Sequence, residues 1–456
     1  MKKVVSALLL PLFLSASNSP LSLDEALEIL KNKNLEIKTA KLEVKSAQQD
    51  IEKTSGMNWG KLEFTQDVAR SNDAGNVFGF KLTSREANFG DFGLSDFAAC
   101  QSATPPAYCA DVLSREPKDL NYPEDRNFFQ SRLKYEVPLF TGFAISSYED
   151  IMHKAKKIKS LDKEKVLNEK LFQLKKSYYD MALLESSITN MQKILDNIDR
   201  LEYTTQTMID VGYAKKVDLL EVKAKKGNVK RLLIQMKANE ELLYHYISFL
   251  LNEKVTQIVV PTKEIEEPNF NDTDVLDRNL DIQKAATALE IKKSMLDASQ
   301  SAYYPTLGAF AEVGTADDTF LGDADNHKAY TVGARLTWNI FNGGIDAAKV
   351  EKAKIEKLKM RSQIELAKKG IALKLAKIKT EIKSVNQEIS SLKKELDLAN
   401  AIYANYEARY KEKLVSMNDV IIKQSSQIEK ILQLLVAKNK RNEKIFELEK
   451  LANVEK

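Results

Sequence analysis

The chain is short of the residues that build metal and redox centres. Its three histidines, His153, His245 and His327, lie far apart, and its two cysteines, Cys100 and Cys109, stand close together in a Pro-rich stretch. A structural zinc site asks for four ligands, so no metal is expected. A nucleotide-binding glycine loop and a nucleophile–base set are also missing, which argues against an enzyme and against any cofactor. Charge of one sign is not in surplus either. The formal net charge is +4, and acids and bases are mixed throughout, so nothing points to nucleic acid. Proline (10) and glycine (16) are few, and they gather around residues 56–142 and 260–344. The apolar run Val4–Leu14 is too short to cross a bilayer as a helix. With Lys2-Lys3 before it and Ser15-Ala16-Ser17 after it, the run reads as a secretory signal over residues 1–17. No cysteine follows the run, which disfavours a lipoprotein. An exported chain can hold a disulfide, and one local Cys100–Cys109 bridge is expected, two free thiols being the alternative.

What the chain does contain is a duplication. Adding 201 maps Phe140, Gly142 and Asp218 onto Phe341, Gly343 and Asp419, so 76 positions separate the glycine from the aspartate in both copies. Further upstream an offset of 245 maps Asn34-Leu35-Glu36-Ile37 onto Asn279-Leu280-Asp281-Ile282. The difference between the offsets leaves 44 extra residues inside the first copy, in a long loop at about 84–127 that holds both cysteines. The expected organisation is a signal peptide 1–17, a first repeat 18–260, a connector 261–271 and a second repeat 272–456. The first repeat has a helix, a β-hairpin 57–140 and a long helix pair 143–251. The second has a helix, a hairpin 303–341 and a helix pair 343–451. Helices are expected over Leu23 to about Thr54 and Asp272 to Ser301, with Ser22 and Glu25 as a capping box.

The hairpins alternate. From Tyr330 to Ile340, apolar Tyr330, Val332, Ala334, Leu336, Trp338 and Ile340 interleave with Thr331, Gly333, Arg335, Thr337 and Asn339, the period of a strand with one polar face. Phe129, Leu133, Tyr135, Val137 and Leu139 do the same, and residues 61–69 and 306–314 give weaker versions. Such lengths suit tilted transmembrane strands with aromatics near the interfaces. Four strands cannot close a membrane barrel, and an open edge in lipid leaves backbone groups unpaired, so several chains must combine. Spacing alone does not decide how many.

The long helices carry coiled-coil seams with one stammer. In the first copy, Leu167, Leu171, Leu174, Tyr178, Met181, Leu184, Ile188, Met191, Leu195 and Ile198 are expected to face Leu220, Ala224, Leu232, Met236, Leu243 and Phe249. In the second, Ile364, Leu373, Ile382, Ile389, Leu392, Leu396 and Ile402 run into a partner helix from Met417 to about Leu451. The connector, with both chain ends, is expected to belt the middle of the helices.

The signal peptide, the duplication, the junctions Pro138-Leu139-Phe140-Thr141-Gly142 and Trp338-Asn339-Ile340-Phe341-Asn342-Gly343-Gly344, and the turn from Arg409-Tyr410 to Asp419-Val420 together resemble the TolC family of outer-membrane efflux proteins. The resemblance implies a mainly α fold with a small β part: a homotrimer whose long antiparallel coiled-coil helices form an α-barrel joined to a twelve-stranded transmembrane β-barrel, four strands per chain. It implies an outer-membrane location extending into the periplasm, outer-membrane lipid around the strands, and two partners, an inner-membrane pump and a periplasmic adaptor. Pro138, Gly142, Gly343 and Gly344 fall at the strand-to-helix junctions. Asp419 and Tyr410 fall at the periplasmic gate, with Asp218 a weaker candidate, and Val415, Ile422 and Lys413 depart from the family's pattern there. A helix-start charge is the alternative reading of Asp419 and the preferred one of Asp218. The expected function is a passive exit duct for efflux or type I secretion. The alternative is a periplasmic coiled-coil adaptor or scaffold without a membrane barrel.

Overall fold

The computed structural model describes residues 20–453, so the expected signal peptide lies outside the described residues. In chain order come α1 (Leu23–Lys33), α2 (Leu35–Gly56), β1 (Lys61–Ser71), α3 (Ala74–Thr83), α4 (Leu94–Ala99), α5 (Lys118–Asn121) and β2 (Arg126–Phe140). The long pair α6 (Ala144–Asp210) and α7 (Lys216–Leu251) completes the first repeat. The second runs α8 (Asp272–Arg278), α9 (Leu280–Gln300), β3 (Thr306–Asp317), α10 (Ala324–His327), β4 (Lys328–Thr337), α11 (Ile345–Lys411) and α12 (Met417–Leu451). Two compact units emerge: one of Ala47–Ala155 and Leu289–Lys359, the other of Met1–Ser46, Lys156–Ala288 and Met360–Lys456.

The first of these units is a four-stranded antiparallel sheet of order β1-β2-β3-β4 with its flanking segments. Residues opposite one another in an antiparallel ladder point to the same side, so the register sorts every strand into two faces. On one lie Glu63, Thr65 and Asp67 of β1, Arg132, Lys134 and Glu136 of β2, Glu312 and Gly314 of β3, and Thr331, Gly333 and Arg335 of β4. On the other lie Leu62 and Phe64, Leu133, Tyr135 and Val137, Ala309, Ala311 and Val313, and Tyr330, Val332 and Leu336. The polar face is laced by ion pairs, Arg132–Asp67 at 2.6 Å and Lys134–Glu136 at 2.7 Å. Toward the β1–β2 loop the apolar face gives way to Gln66, Ser131 and Thr315, and then to Asp317 opposite Phe129; Gln66 and Ser131 satisfy each other at 2.5 Å.

Strand β4 ends at Thr337, short of the expected Ile340. Trp338 lies just beyond it, where its indole donates to the Tyr303 carbonyl at 3.2 Å, and Tyr135 donates to Trp59 O at 2.7 Å. At the junction after β2, Gly142 has φ +61°, and a Cβ there would lie 2.7 Å from Ser301 O and 2.9 Å from Tyr304 Cβ. Gly343 and Gly344 also take positive φ, but with open space around them. Pro138 lies beyond the end of β1's pairing, beside a register shift, where a missing N–H costs least. The long loop is not structureless: α4, α5 and two 3-10 turns fold within it.

In the other unit the seams are close to those expected. Leu171, Leu174, Tyr178, Met181, Met191, Leu195 and Ile198 of α6 are buried. Their partner face on α7 is met in part: Met236 is buried and Leu232 and Leu243 pack against the cores, but Val222, Val229, Leu233 and Ile247 also point inward, whereas Leu220 and Phe249 are exposed and Ala224 is turned out. Leu373 of α11 is likewise exposed, and Tyr403 takes the buried place beside Ile402. The short helices are interrupted. Asn34 and Asn279, both extended, each split an expected single helix in two. Asn34 donates to Leu250 O at 2.8 Å and accepts from Ile37 N at 3.0 Å, and Asn279 donates to Leu451 O at 3.1 Å and accepts from Ile282 N at 3.2 Å. Each asparagine thus caps the helix that follows it and satisfies a carbonyl at the end of a long helix. The connector is fastened by Glu264 to Lys393 and Lys438 and by Arg441 to Ile265 O at 2.9 Å, and Leu21 bridges Ile258.

Candidate gate at the hairpin tips

The two long helix pairs each turn once, at residues 211–215 and 412–416, and the tips share a core. Met191, Ile198 and Leu201 of α6, Val222 and Val229 of α7, Tyr403 and Tyr410 of α11, and Met417 and Val420 of α12 are buried together. Both turns are made by a left-handed residue that lets following amides cap the last carbonyls. Gly212 does so at φ +76°, with Tyr213 N donating to Met208 O at 2.7 Å. In the second repeat the same position is Lys413 at φ +62°, with Leu414 N donating to Arg409 O at 2.9 Å. A lysine is strained there by about 1–2 kcal/mol, but its ammonium sits 3.1 Å from the centroid of the Tyr213 ring. That cation–π contact joins the two tips and offsets part of the strain.

Asp419 occupies the first turn of α12. Its Oδ2 accepts from the Ser416 hydroxyl at 2.6 Å and the Ser416 amide at 3.1 Å, while Ser416 Oγ accepts from the Asp419 amide at 3.2 Å. This reciprocal capping box holds the Asp419 carboxyl below the usual carboxylate range, the Ser416 hydroxyl contributing most. Asp218 repeats one half of the arrangement at the start of α7, accepting from Lys215 N at 2.8 Å, while the lysine side chain has no acceptor to return the bond. Tyr410 is buried, and its hydroxyl has no hydrogen-bond partner of good geometry among the described residues; Thr205, beside it, turns its own hydroxyl to Leu201 O at 2.8 Å. Burial and the nearby Asp218 charge push the Tyr410 phenol up. Val415 packs on the shared core and Ile422 is exposed.

The sequence candidates therefore fall in separate groups. Asp218, Tyr410 and Asp419 come together at the tips; Pro138, Gly142, Gly343 and Gly344 sit where strands become helices. Cys100 and Cys109 are bonded within the long loop, with Cα atoms 5.3 Å apart. Three features escaped the sequence: the Lys413–Tyr213 contact, the asparagine breaks, and a group formed by Glu86, Asp317 and His327. The ligand atoms of that group lie within 4.8 Å of one another, but all three side chains already have protein partners. Glu86 pairs with Arg126, and Asp317 accepts from the Asp323 amide at 2.7 Å and faces His327 Nδ1 at 3.0 Å. The asparagines left a sequence signal in the repeated Asn-Leu-acid-Ile, and Lys413 left one as a departure from the turn glycine, though its partner did not.

Residues 273–453 match the outer membrane efflux protein family. Among solved structures the fold is similar to CusC, at 14% identity and TM-score 0.75, covering 94% of this chain and 91% of that one. It is also similar to the Campylobacter jejuni CmeC outer membrane channel (13%, TM-score 0.73, 94% and 85%) and to the outer membrane protein VceC of Vibrio cholerae (14%, TM-score 0.73, 94% and 96%). No curated protein sequence matches.

Proposed function

We propose, from a second repeat that matches the outer membrane efflux protein family and a chain folded as outer-membrane channels are, that this protein is a passive efflux duct of the outer membrane reaching into the periplasm. The observation that carries the reading is the register-sorted sheet. Through the middle of the sheet one face is apolar on all four strands and the other is polar or small apart from Phe310, and β1 and β4 have free edges in the single chain. Lipid tolerates such a sheet only when copies close it into a barrel, with the polar face lining the lumen. Among the described residues no helix is long and apolar enough to cross a membrane, so on this reading the sheet does the crossing.

The finer reading is a homotrimer with a twelve-stranded barrel, opened when an inner-membrane pump and a periplasmic adaptor dock at the helical tips. The division into signal peptide, two repeats and connector is part of it. Three copies of Asp419 form a ring of negative charge that binds cations and resists closure. Tyr410 and the Lys413–Tyr213 contact hold the tips of one protomer together, and Asp218 sets the start of α7. The Cys100–Cys109 bridge serves the loop at the opposite end of the strands.

Single-channel conductance in a planar bilayer tests this. The wild type should give cation-selective steps blocked by a divalent cation added on the periplasmic side. Asp419→Asn, which keeps an acceptor oxygen for Ser416 but loses the charge, should conduct without block. Because the Asp419 pKa is depressed, block and capping should both persist as pH falls, until it passes below the ordinary carboxylate value. The stability that Asp419 contributes is present above its unfolded pKa and disappears through the folded one. Equal block in the variant would move the acidic ring elsewhere. A protein that stays soluble without detergent and never conducts would overturn the duct and favour the scaffold.

A further inference from the structure

We propose that the insert between β1 and β2 is a folded constriction inside the outer mouth of the duct, and that it sets the size of molecule that can leave. The proposal rests on the duct reading above. Its own support is the side of the sheet on which the insert lies.

Helix α3 packs on β3. Its Val77 is fully covered, and so are Phe128 of β2 and Ala316 of β3. The Phe80 ring stacks on Phe128 at 4.2 Å and 10°. Thr83 shares a small cavity of about 60 Å³ mainly with Gln130, Arg132, Glu312, Gly314 and Ala316. Glu86 pairs with Arg126. By the ladder register, Arg126, Phe128, Gln130 and Arg132, and Glu312, Gly314 and Ala316 across from them, belong to the charged face. The insert is therefore laid on the face that lines the lumen, and the apolar face is left for lipid.

The insert is also built to stay there. Ser84, fully buried, turns its hydroxyl to Phe80 O at 2.8 Å and ends α3. Lys81 pairs with Asp91, Phe78 meets Phe92 edge-on at 5.2 Å, and the Cys100–Cys109 bridge closes the outer lobe. The second hairpin does without such a structure. Its loop carries only the four-residue α10 and is gathered onto its own strand end by Asp317. Comparing the repeats, the extra residues of the first are not needed to join two strands. A helix with its side chains is about 10–12 Å across, so one from each of several copies takes up a large part of the opening.

The test is access to a lumen-facing cysteine from outside intact cells. Thr331→Cys lies on the polar face, and the native cysteines are bonded and do not react. Labelling uses a small maleimide and a maleimide carrying a long polyethylene glycol chain. The wild-type insert should admit the small reagent and exclude the long one. Replacing residues 74–122 by a short Asn-Gly turn should make labelling by the long reagent complete. Phe80→Ala with Glu86→Gln, which detaches α3 while keeping the chain, should give the same gain and decides the matter if the shortened protein does not assemble. Labelling by the long reagent at the same rate with the insert intact, detached or absent would overturn the constriction. No labelling by the small reagent even in the shortened protein would overturn the duct reading instead, because the polar face would then line no water-filled lumen.

Discussion

Lys413 stands where the first repeat has Gly212, and at residue scale it illustrates how one feature of the fold can substitute for another. The left-handed turn is needed at both tips to cap the last carbonyls of α6 and α11, and glycine meets that need without strain. Lysine meets it at a cost of about 1–2 kcal/mol and recovers about 0.5–1 kcal/mol from the Tyr213 ring at an exposed site. Lys413→Gly removes strain and contact together and should leave stability unchanged or raise it, by up to about 1.5 kcal/mol. Lys413→Ala keeps the strain and loses the contact, and should cost about 1 kcal/mol in denaturant unfolding. The lysine was visible in the sequence as a departure from pattern. Its partner was not, because Tyr213 is 200 positions away and only the side-by-side packing of two hairpins brings the ring to it.

Among elements, the interruption of the short helices is the clearest correction to the sequence reading. Asn34 and Asn279 fit a helical pattern, and the period of their neighbours continues through them. The competing demand is tertiary: the carbonyls of Leu250 and Leu451, at the ends of α7 and α12, are buried where water cannot satisfy them. Each asparagine leaves the helix to reach one. Asn34→Ala and Asn279→Ala should each cost about 1–3 kcal/mol by leaving a buried carbonyl unpaired. The two losses should add in the double variant, since the pairs share no partner, as read by denaturant midpoints at constant slope. Half of the expected α7 seam turned outward for a related reason, while Leu232, Met236 and Leu243 pack as expected. Leu220, Ala224 and Phe249 keep a helical period with their neighbours, but two adjacent faces of α7 are apolar, and periodicity does not say which of them meets α6.

For the whole molecule, closure is the question. Leu35 and Leu42 on α2, and Leu366 and Leu373 on α11, are uncovered, the latter two at 72% each. Both pairs are spaced one heptad apart. α2 precedes the free edge β1 and α11 follows the free edge β4, so on the proposed duct, closing the sheet with further copies would bring the helix after β4 of one copy beside the helix before β1 of the next. Burying these leucines is worth about 1.5–3 kcal/mol for each side chain. Leu42→Lys or Leu366→Lys should abolish a heat-resistant oligomer on a denaturing gel, while far-UV circular dichroism of the detergent-solubilised chain stays helical. An oligomer unchanged by both substitutions would place the seam elsewhere.

Taken alone, the sequence determined the duplication, the alternation of the strands, most of the α6 seam and the glycines and proline at the junctions. These are local properties: a period of two, a step of three or four, or a backbone angle is written in consecutive residues. Tertiary structure decided which of α7's apolar faces turns inward, where the short helices break, and on which face of the sheet the long insert lies. Those outcomes depend on buried carbonyls, on ring contacts and on ladder register between segments far apart in the chain, and no run of neighbouring residues encodes them.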